Sequence, residues 1–273
     1  MIGRDRPRNG SSARAGIPIL MYHRLFADPV ELSGWAKAVT RYWVPVREFE
    51  RQVLAFADRG YRAVPLAALL PGAEPTGPGK PIVITFDDGW ASDHRHARPI
   101  LERLGWRSEH FVTVDWVGRD AFMSWKELAE IAGFGAGVHS HSLTHRDLGR
   151  LSTREVRHEL ETSKDTLEWR LRRRVGFLSL PGGTGAGASV RSTAHELGYR
   201  GICTSRIGLN VPGADPYALR RIPVRRHTPL ARLLAWVDGK HLERLALARE
   251  TLRLARALVP RVLYDRLTEV VLR

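Results

Sequence analysis

The chain has 273 residues, 43% of them hydrophobic and 26% charged, which suits one large α/β domain or two small ones and excludes a disordered or fibrous protein. Its single cysteine excludes an intrachain disulfide and a cysteine-rich zinc site, and no apolar run approaches the roughly 18 residues of a membrane span. The net charge of +14 comes mostly from arginines scattered through every segment, and no nucleic-acid-binding motif accompanies it.

The N-terminal residues 1–15 are predicted to be a disordered tail. The apolar run that follows, residues 17–22, is shorter than the core of a signal peptide, and no small-residue cleavage site comes after it. We therefore expect a cytoplasmic protein, with peripheral attachment to the inner membrane face as the alternative.

Short apolar runs alternate with helical patterns from residue 17 onward. The predicted strands are 17–21, 82–86, 109–114, 134–138, 176–180, 200–204 and 219–224, and the predicted helices are 46–59, 94–104, one from Ser124, 152–172 and 189–197. Ser124 and Ser152 each precede a glutamate by three residues, which is the capping-box pattern of a helix start. No glycine-rich dinucleotide loop follows the first strand, so the alternation predicts a closed or partly closed (β/α) barrel of about seven strands.

The last segment, residues 229–273, is predicted to be a C-terminal helical extension of the domain formed by residues 16–228. Leu242, Leu245 and Leu252 recur there at helical spacing, with arginines between them. Such a helix packs on the barrel or, in the alternative interpretation, contacts a membrane surface through its basic side.

The first candidate site motif is Thr85-Phe86-Asp87-Asp88-Gly89, at the carboxyl end of a continuous apolar strand. That end of the strands carries the active site in α/β barrels and open α/β sheets. Two adjacent carboxylates repel each other unless a cation compensates them, so one aspartate can bind a metal while the other moves protons.

The second motif, His139-Ser140-His141-Ser142-Leu143-Thr144-His145, also follows a predicted strand. His141 and His145 are four residues apart, a spacing that would place both on one side of a helical turn. Two imidazoles and one carboxylate form a typical zinc ligand set that leaves coordination positions open for water and substrate.

The two motifs in this order resemble the polysaccharide deacetylases of the NodB-homology type, carbohydrate esterase family four. The resemblance spans roughly residues 17–227. It includes Pro18-Ile19-Leu20-Met21-Tyr22-His23, Met123-Ser124-Trp125, Leu180-Pro181-Gly182-Gly183 and Leu197-Gly198-Tyr199.

The resemblance implies a distorted (β/α) barrel that removes acetyl groups from a glycan. It implies that Asp87 is the general base and that Asp88, His141 and His145 bind a divalent metal, usually zinc, with cobalt or nickel as substitutes. It further implies that the backbone N–H of Gly182 stabilises the oxyanion of the tetrahedral intermediate.

The chain departs from the family pattern at two positions. Ser179 stands where the family commonly has an arginine that orients the base, and we expect Arg220 or Arg221 to replace it. The late histidine motif of the family is offset here, so the general acid is either His227 or His23. His139 stands where the family usually has glycine, and the sequence assigns it no role.

Three functions remain open at this point. The first is N-deacetylation of an N-acetylated polysaccharide or glycan, and the second is O-deacetylation of an acetylated polymer at the same site. The third is a carbohydrate-binding barrel that has lost turnover, motivated by Ser179 and by the unclear general acid. The complete set of Asp87, Asp88, His141 and His145 favours an enzyme.

Overall fold

The computed structural model describes residues 16–73, 77–183, 187–211 and 213–255. For residues 253–255 it describes the backbone only. The predicted tail at residues 1–15 and the end of the predicted helical extension, residues 256–273, lie outside the described residues.

Ten strands form the framework of the described residues. They are β1 (Ile19–Tyr22), β2 (Leu25–Phe26), β3 (Val44–Pro45), β4 (Tyr61–Ala63), β5 (Lys80–Phe86), β6 (Glu109–Val112), β7 (Gly137–Ser140), β8 (Phe177–Ser179), β9 (Gly201–Cys203) and β10 (Ile222–Pro223). The main sheet runs in the order β10-β1-β5-β6-β7-β8-β9, with β4 paired to β5, and β2 and β3 form a separate pair. All these strand pairs are parallel, as expected when helices connect the strands.

Residues 219–224 join the two edges of the curled sheet. On one side Thr204 N–H donates to Leu219 O at 2.9 Å, and on the other Val224 N–H donates to Met21 O at 3.0 Å. The predicted barrel of about seven strands is therefore confirmed as a curled parallel sheet with helices around it.

In the part of the chain that the structure describes, eight α-helices accompany the strands. They are α1 (Lys37–Thr40), α2 (Val46–Asp58), α3 (Arg98–Arg103), α4 (Trp125–Gly133), α5 (Thr153–Leu171), α6 (Ala188–Glu196), α7 (Leu230–Val237) and α8 (Leu242–Ala255). Both predicted capping boxes are confirmed, since Ser124 and Ser152 accept from the N–H groups of Glu127 and Glu155 and those carboxylates accept in return.

The sheet separates an inner from an outer apolar layer. On β5, Ile82, Ile84 and Phe86 pack outward against α2, while Val83 points inward together with Ile19, Phe111, Phe177 and Cys203. The turn at Leu66–Leu69 adds Leu66 and Leu69 to this inner cluster and covers it from below. Alternate side chains of one strand thus serve two cores, which explains the continuous apolar run seen in the sequence.

One strand prediction is wrong in its position. Residues 134–138 were expected to form a strand, but Phe134 is the C-cap of α4 and Gly135 turns the chain with φ +87°. Gly135 has this left-handed conformation without a Cβ clash, so the chain reverses there and β7 begins only at Gly137. The short strands β2, β3 and β4 gave no recognisable period in the sequence.

Two helices follow the barrel at its C-terminal side. In α7, Leu233, Trp236 and Val237 are buried against the outer layer, and Leu242 of α8 joins the same cluster. Among the described residues, no helix is both long and apolar enough to span a membrane. The boundary between a domain of residues 16–228 and an extension of residues 229–273 stays a prediction.

Candidate active site

The carboxyl ends of three strands bring predicted site residues to one end of the barrel. Asp87 and Asp88 follow β5, His141 follows β7, and Ser179 ends β8. Because parallel strands end at the same edge of a sheet, residues far apart in sequence meet there.

Asp88, His141 and His145 form a compact cluster of potential metal ligands. The Nε2 atoms of His141 and His145 each lie 3.4 Å from Asp88 Oδ1, and the three ligand atoms lie within 4.8 Å of one another. Donors held about 2.1 Å from a tetrahedral metal lie about 3.4 Å apart, which is the spacing observed between these atoms.

Neighbouring groups fix the ligands in a metal-binding orientation. His141 Nδ1 lies 2.9 Å from Ser179 O, so this nitrogen carries the proton and Nε2 keeps its lone pair for the site. Trp90 Nε1 donates to Asp88 Oδ2 at 3.0 Å and leaves Oδ1 directed at the histidines. The His145 ring stacks on Trp116 with centroids 4.8 Å apart. These residues therefore fit a divalent metal bound by one carboxylate and two imidazoles.

The two histidines do not meet through a helical turn, so that expectation from their spacing is wrong. Residues 141–147 form an irregular loop, in which Ser142 has φ +66° and His145 φ +64°. Asp88 is also left-handed, with φ +81°. Non-glycine residues adopt this conformation at a cost of about 1–2 kcal/mol each, so the surrounding contacts must impose it.

Glu159 of α5 is a functional residue that the sequence analysis missed. Its Oε2 accepts from Leu143 N–H at 3.0 Å and Thr144 N–H at 2.9 Å, which fixes the loop between the two histidines. Glu159 is only 2% exposed. A signal was present in the sequence, because Glu159 lies on the same face of α5 as the buried residues Val156, Leu160, Ser163 and Leu167.

Asp87 is held by a buried arginine beside the ligand cluster. Arg221 Nη1 and Nη2 donate to the two Asp87 oxygens at 2.7 and 2.9 Å. Arg221 also donates from Nη2 to Ser179 Oγ at 2.9 Å and from Nε to Thr204 O at 3.0 Å. Arg221 is fully buried, whereas Arg220 is exposed, so only the former lies against the aspartate.

The charges around the site determine which groups are ionised. Burial raises the pKa of Asp87, but the Arg221 charge and then the His141 charge outweigh this effect and hold that pKa below its ordinary value. Burial likewise opposes ionisation of Asp88, yet its contacts with His141 and His145 hold the Asp88 pKa well below the usual range. Both carboxylates are therefore ionised at neutral pH.

His23, His227 and Gly182 were also predicted to belong to the site, and His139 had no predicted role. His23 follows β1, and burial lowers its pKa while the charges of Asp88 and Asp87 oppose that shift. His227 lies exposed in the turn after β10. Gly182, with φ +68°, is exposed in the turn after β8. His139 points away from the site and pairs with Glu109 at 2.7 Å.

Comparison with known proteins agrees with the motif resemblance. Residues 74–202 match the family model described as polysaccharide deacetylase. The chain is 27% identical over 212 residues to the Bacillus subtilis (strain 168) protein named "Putative polysaccharide deacetylase YxkH", covering 77% of this chain and 72% of that protein.

Two solved structures share both fold and sequence similarity with the chain. The Streptococcus pyogenes deacetylase PplD, in complex with acetate, is 25% identical with a TM-score of 0.70, covering 80% of this chain and 96% of that one. IcaB from Ammonifex degensii is 25% identical with a TM-score of 0.69, covering 82% of this chain and 98% of that one. The family resemblance inferred from the two motifs is confirmed.

Proposed function

Because the chain carries a polysaccharide deacetylase domain, we propose that it is a metal-dependent hydrolase that removes N-acetyl groups from an N-acetylated glycan. The observation that supports this most directly is the arrangement of Asp88, His141 and His145 beside the carboxylate of Asp87, which Arg221 holds. The acetate bound by the S. pyogenes relative is the product that such a reaction releases.

We propose that Asp88, His141 and His145 bind a divalent ion, for which zinc suits the donor set best. A metal of this kind polarises a carbonyl oxygen and makes water more acidic. The chain's own contribution is the orientation of the three donor atoms by Ser179 O, Trp90 and Trp116 described above.

Asp87 is the proposed general base. It is ionised at neutral pH, and its two hydrogen bonds from Arg221 prevent the carboxylate from rotating. In this role Asp87 accepts a proton from the attacking water. Arg221 thereby takes the place that the Ser179 departure left open, and Ser179 itself donates to Asp87 Oδ2 at 3.3 Å.

We place the proton donor for the leaving amine at His23 rather than at His227. The charges of Asp87, Asp88 and Arg221 all act on His23, so it lies within electrostatic range of the base and the ligand cluster. The backbone N–H of Gly182, in the exposed turn three residues after Ser179, is the proposed donor to the oxyanion.

The proposed function is tested by measuring acetate release from N-acetylglucosamine oligomers and from O-acetylated polymers, with zinc or cobalt added. We expect release from the N-acetylated substrates, and we expect Asp87→Asn to reduce the rate by about 10³-fold or more, since it removes the base. His141→Ala should abolish both metal binding and turnover, whereas Asp87→Asn should still bind the metal.

The two histidine variants decide the identity of the acid. His23→Ala should reduce the rate by about 10²-fold, while His227→Ala should leave it within a factor of two. Release only from O-acetylated substrates would make the protein an esterase. Metal binding without release from any substrate would favour a carbohydrate-binding barrel.

A further inference from the structure

Three arginines converge on one tyrosine at the rim of the barrel. The guanidinium carbons of Arg41 and Arg225 lie 5.2 and 5.4 Å from the ring centroid of Tyr42. The charge of Arg249, on helix α8, acts on the same phenol, and together the three lower the pKa of Tyr42 although burial opposes this shift. We call Arg41, Arg225 and Arg249 the arginine cluster.

The guanidinium groups of the arginine cluster are only partly satisfied, because Arg225 interacts with the Tyr42 hydroxyl while one nitrogen atom of each arginine has no hydrogen-bond partner in the described part of the chain. Arg41 Nε, Arg225 Nε and Arg249 Nη1 are covered from solvent, yet no hydrogen-bond acceptor lies against them among the described residues. Burial lowers the pKa of Arg225, and repulsion from Arg41 and Arg249 lowers it further. Covered, unpaired N–H groups and like charges both cost free energy, so the cluster is arranged for an acceptor supplied from outside.

Several other partly buried arginines of the described chain are paired with carboxylates. Arg24 contacts Glu31 at 2.7 Å, Arg191 contacts Asp215 at 2.8 Å, and Arg98 pairs with Glu102. Within the described ranges, Arg62 and Arg226 also have an unpaired Nε, so unpaired nitrogen atoms alone do not distinguish the arginine cluster. The distinguishing feature is that three guanidinium groups act on one tyrosine ring.

The arginine cluster borders the proposed active site. The Tyr42 ring lies 5.0 Å from the ring of His23, the proposed acid, on which the charges of Asp87 and Asp88 act. Arg249 also lines a cleft of about 830 Å³ whose wall includes Leu180 and Gly183, on either side of the proposed oxyanion turn. A glycan seated with one acetyl group at the metal ligands can thus reach the arginines with a neighbouring unit.

We propose that the arginine cluster binds an oxyanion, a phosphate or a carboxylate, that the glycan substrate carries next to the sugar that is deacetylated. Guanidinium groups bind both anions through paired, charge-assisted hydrogen bonds. The inference rests on the proposed function and names the substrate class, an anionic rather than a neutral N-acetylated glycan. It also gives α8 a role in substrate binding.

The test compares one neutral and two anionic disaccharide substrates, each with an N-acetylglucosamine unit. They are di-N-acetylchitobiose, its 1-phosphate, and an N-acetylglucosamine disaccharide with a uronic acid as the second sugar. We expect KM for one or both anionic substrates to be about tenfold lower than for the neutral one at low salt, as charge-assisted hydrogen bonds imply. Preference for the phosphate or for the uronate identifies which anion the cluster takes.

The variants locate the effect at the arginine cluster. The double variant Arg225→Gln, Arg249→Gln should raise KM for the anionic substrate about tenfold and leave the neutral KM within a factor of two, because only the anion contact is lost. Arg249→Gln alone, on the half-exposed α8, serves if the double variant does not fold, with a rise of about threefold. Arg51→Gln removes the same charge from an exposed position of α2 and should change nothing.

Equal KM for neutral and anionic substrates in the wild-type protein would overturn the inference and leave the deacetylase proposal intact. An equal rise in KM for the anionic substrate in Arg51→Gln would also overturn the inference, since a diffuse positive field would then be responsible for the preference. If no substrate releases acetate, calorimetric binding of the same three sugars to the Asp87→Asn protein still tests the inference, because binding needs no turnover.

Discussion

The interior of the barrel buries a carboxylate at each end, and the two ends differ in what surrounds them. At the carboxyl end of the strands, Asp87 is 2% exposed and paired with Arg221. At the opposite end, Glu109 is 5% exposed, begins β6 and pairs with His139. Sequence alone shows two acidic residues near strand ends, and only their surroundings separate a reactive site from a closed one.

Glu109 has both of its oxygens occupied. Oε1 accepts from Leu66 N–H at 3.0 Å, and Oε2 lies 2.7 Å from His139 Nε2. The turn at Leu66–Leu69 covers the pair, and Gly137 leaves room for it, since a Cβ there would lie only 1.8 Å from Glu109 Oε2. This pair therefore connects residues at the amino end of the barrel, and no side of it is open to a substrate.

The carboxyl end has donor atoms that its own contacts do not use up. Asp88 Oδ1 and the Nε2 atoms of His141 and His145 face one another, while Trp90 fixes Asp88 Oδ2 and Ser179 O fixes His141 Nδ1. A buried carboxylate is thus not by itself the mark of a site. What identifies a candidate site is a set of oriented ligand atoms that other groups of the protein do not occupy.

The largest effect is expected for Arg221→Met, which leaves the buried Asp87 without its cation. We expect the free energy of unfolding to fall by about 3–5 kcal/mol and acetate release to fall by about 10²-fold, because Asp87, the proposed general base, loses its orientation. Urea denaturation and initial rates measure the two losses.

Arg220→Met is the matched control for this variant, since the neighbouring Arg220 is exposed. It should alter stability by no more than about 0.5 kcal/mol. In the double variant Asp87→Asn, Arg221→Met, part of the lost stability should return, because no unpaired charge is left buried. Equal losses from Arg220→Met and Arg221→Met would contradict the pairing of Arg221 with Asp87.

A smaller effect is expected from metal, and it should appear only at the carboxyl end. Zinc at a free concentration one hundred times its Kd should stabilise the wild-type protein by about 2.7 kcal/mol, as binding to the folded state alone requires. The rise in Tm should vanish in His141→Ala and persist in His139→Phe, which removes a buried imidazole outside the ligand cluster. A rise in Tm that survives His141→Ala would place the metal elsewhere.

The smallest effect is expected for Glu109→Gln. The amide retains an acceptor for Leu66 N–H but loses the charge that faces His139, so we expect a loss of about 1–2 kcal/mol in unfolding free energy. The value of kcat/KM at saturating metal should stay within a factor of two. A large fall in kcat with unchanged stability would mean that Glu109, at the amino end of the barrel, takes part in the reaction. The two ends of the barrel would then not differ in function.

The identities of the candidate site residues could be predicted from the sequence, but their backbone conformation could not. The motif around Asp87 and the histidine motif gave the residues, and the apolar run before Asp87 gave the strand that carries them. The conformation of the histidine loop could not be predicted, because the left-handed backbone at Ser142 and His145 is held by Glu159 of the distant helix α5 and by the hydrogen bond from His145 N–H to Ser142 Oγ.

The sequence also could not show which arginine pairs with Asp87. Arg220 and Arg221 were equivalent candidates in the sequence, since adjacent residues on a strand differ only in the face to which they point. The segment 219–224 joins β9 to β1, and this register turns Arg221 inward and Arg220 outward. His139 had no assigned role until β6 and β7 paired and set it opposite Phe111, with Glu109 within reach.

The sequence by itself determined the fold class, the helix starts at Ser124 and Ser152, and the identities of the candidate ligands, because these depend on local periodicity, capping and short motifs. Only the tertiary structure decided which arginine meets Asp87, that Glu109 and His139 close the base of the barrel, and that Arg41, Arg225 and Arg249 meet at one tyrosine. Those contacts join residues from distant strands and helices, and their free energy depends on distance and burial, which exist only once the sheet has closed.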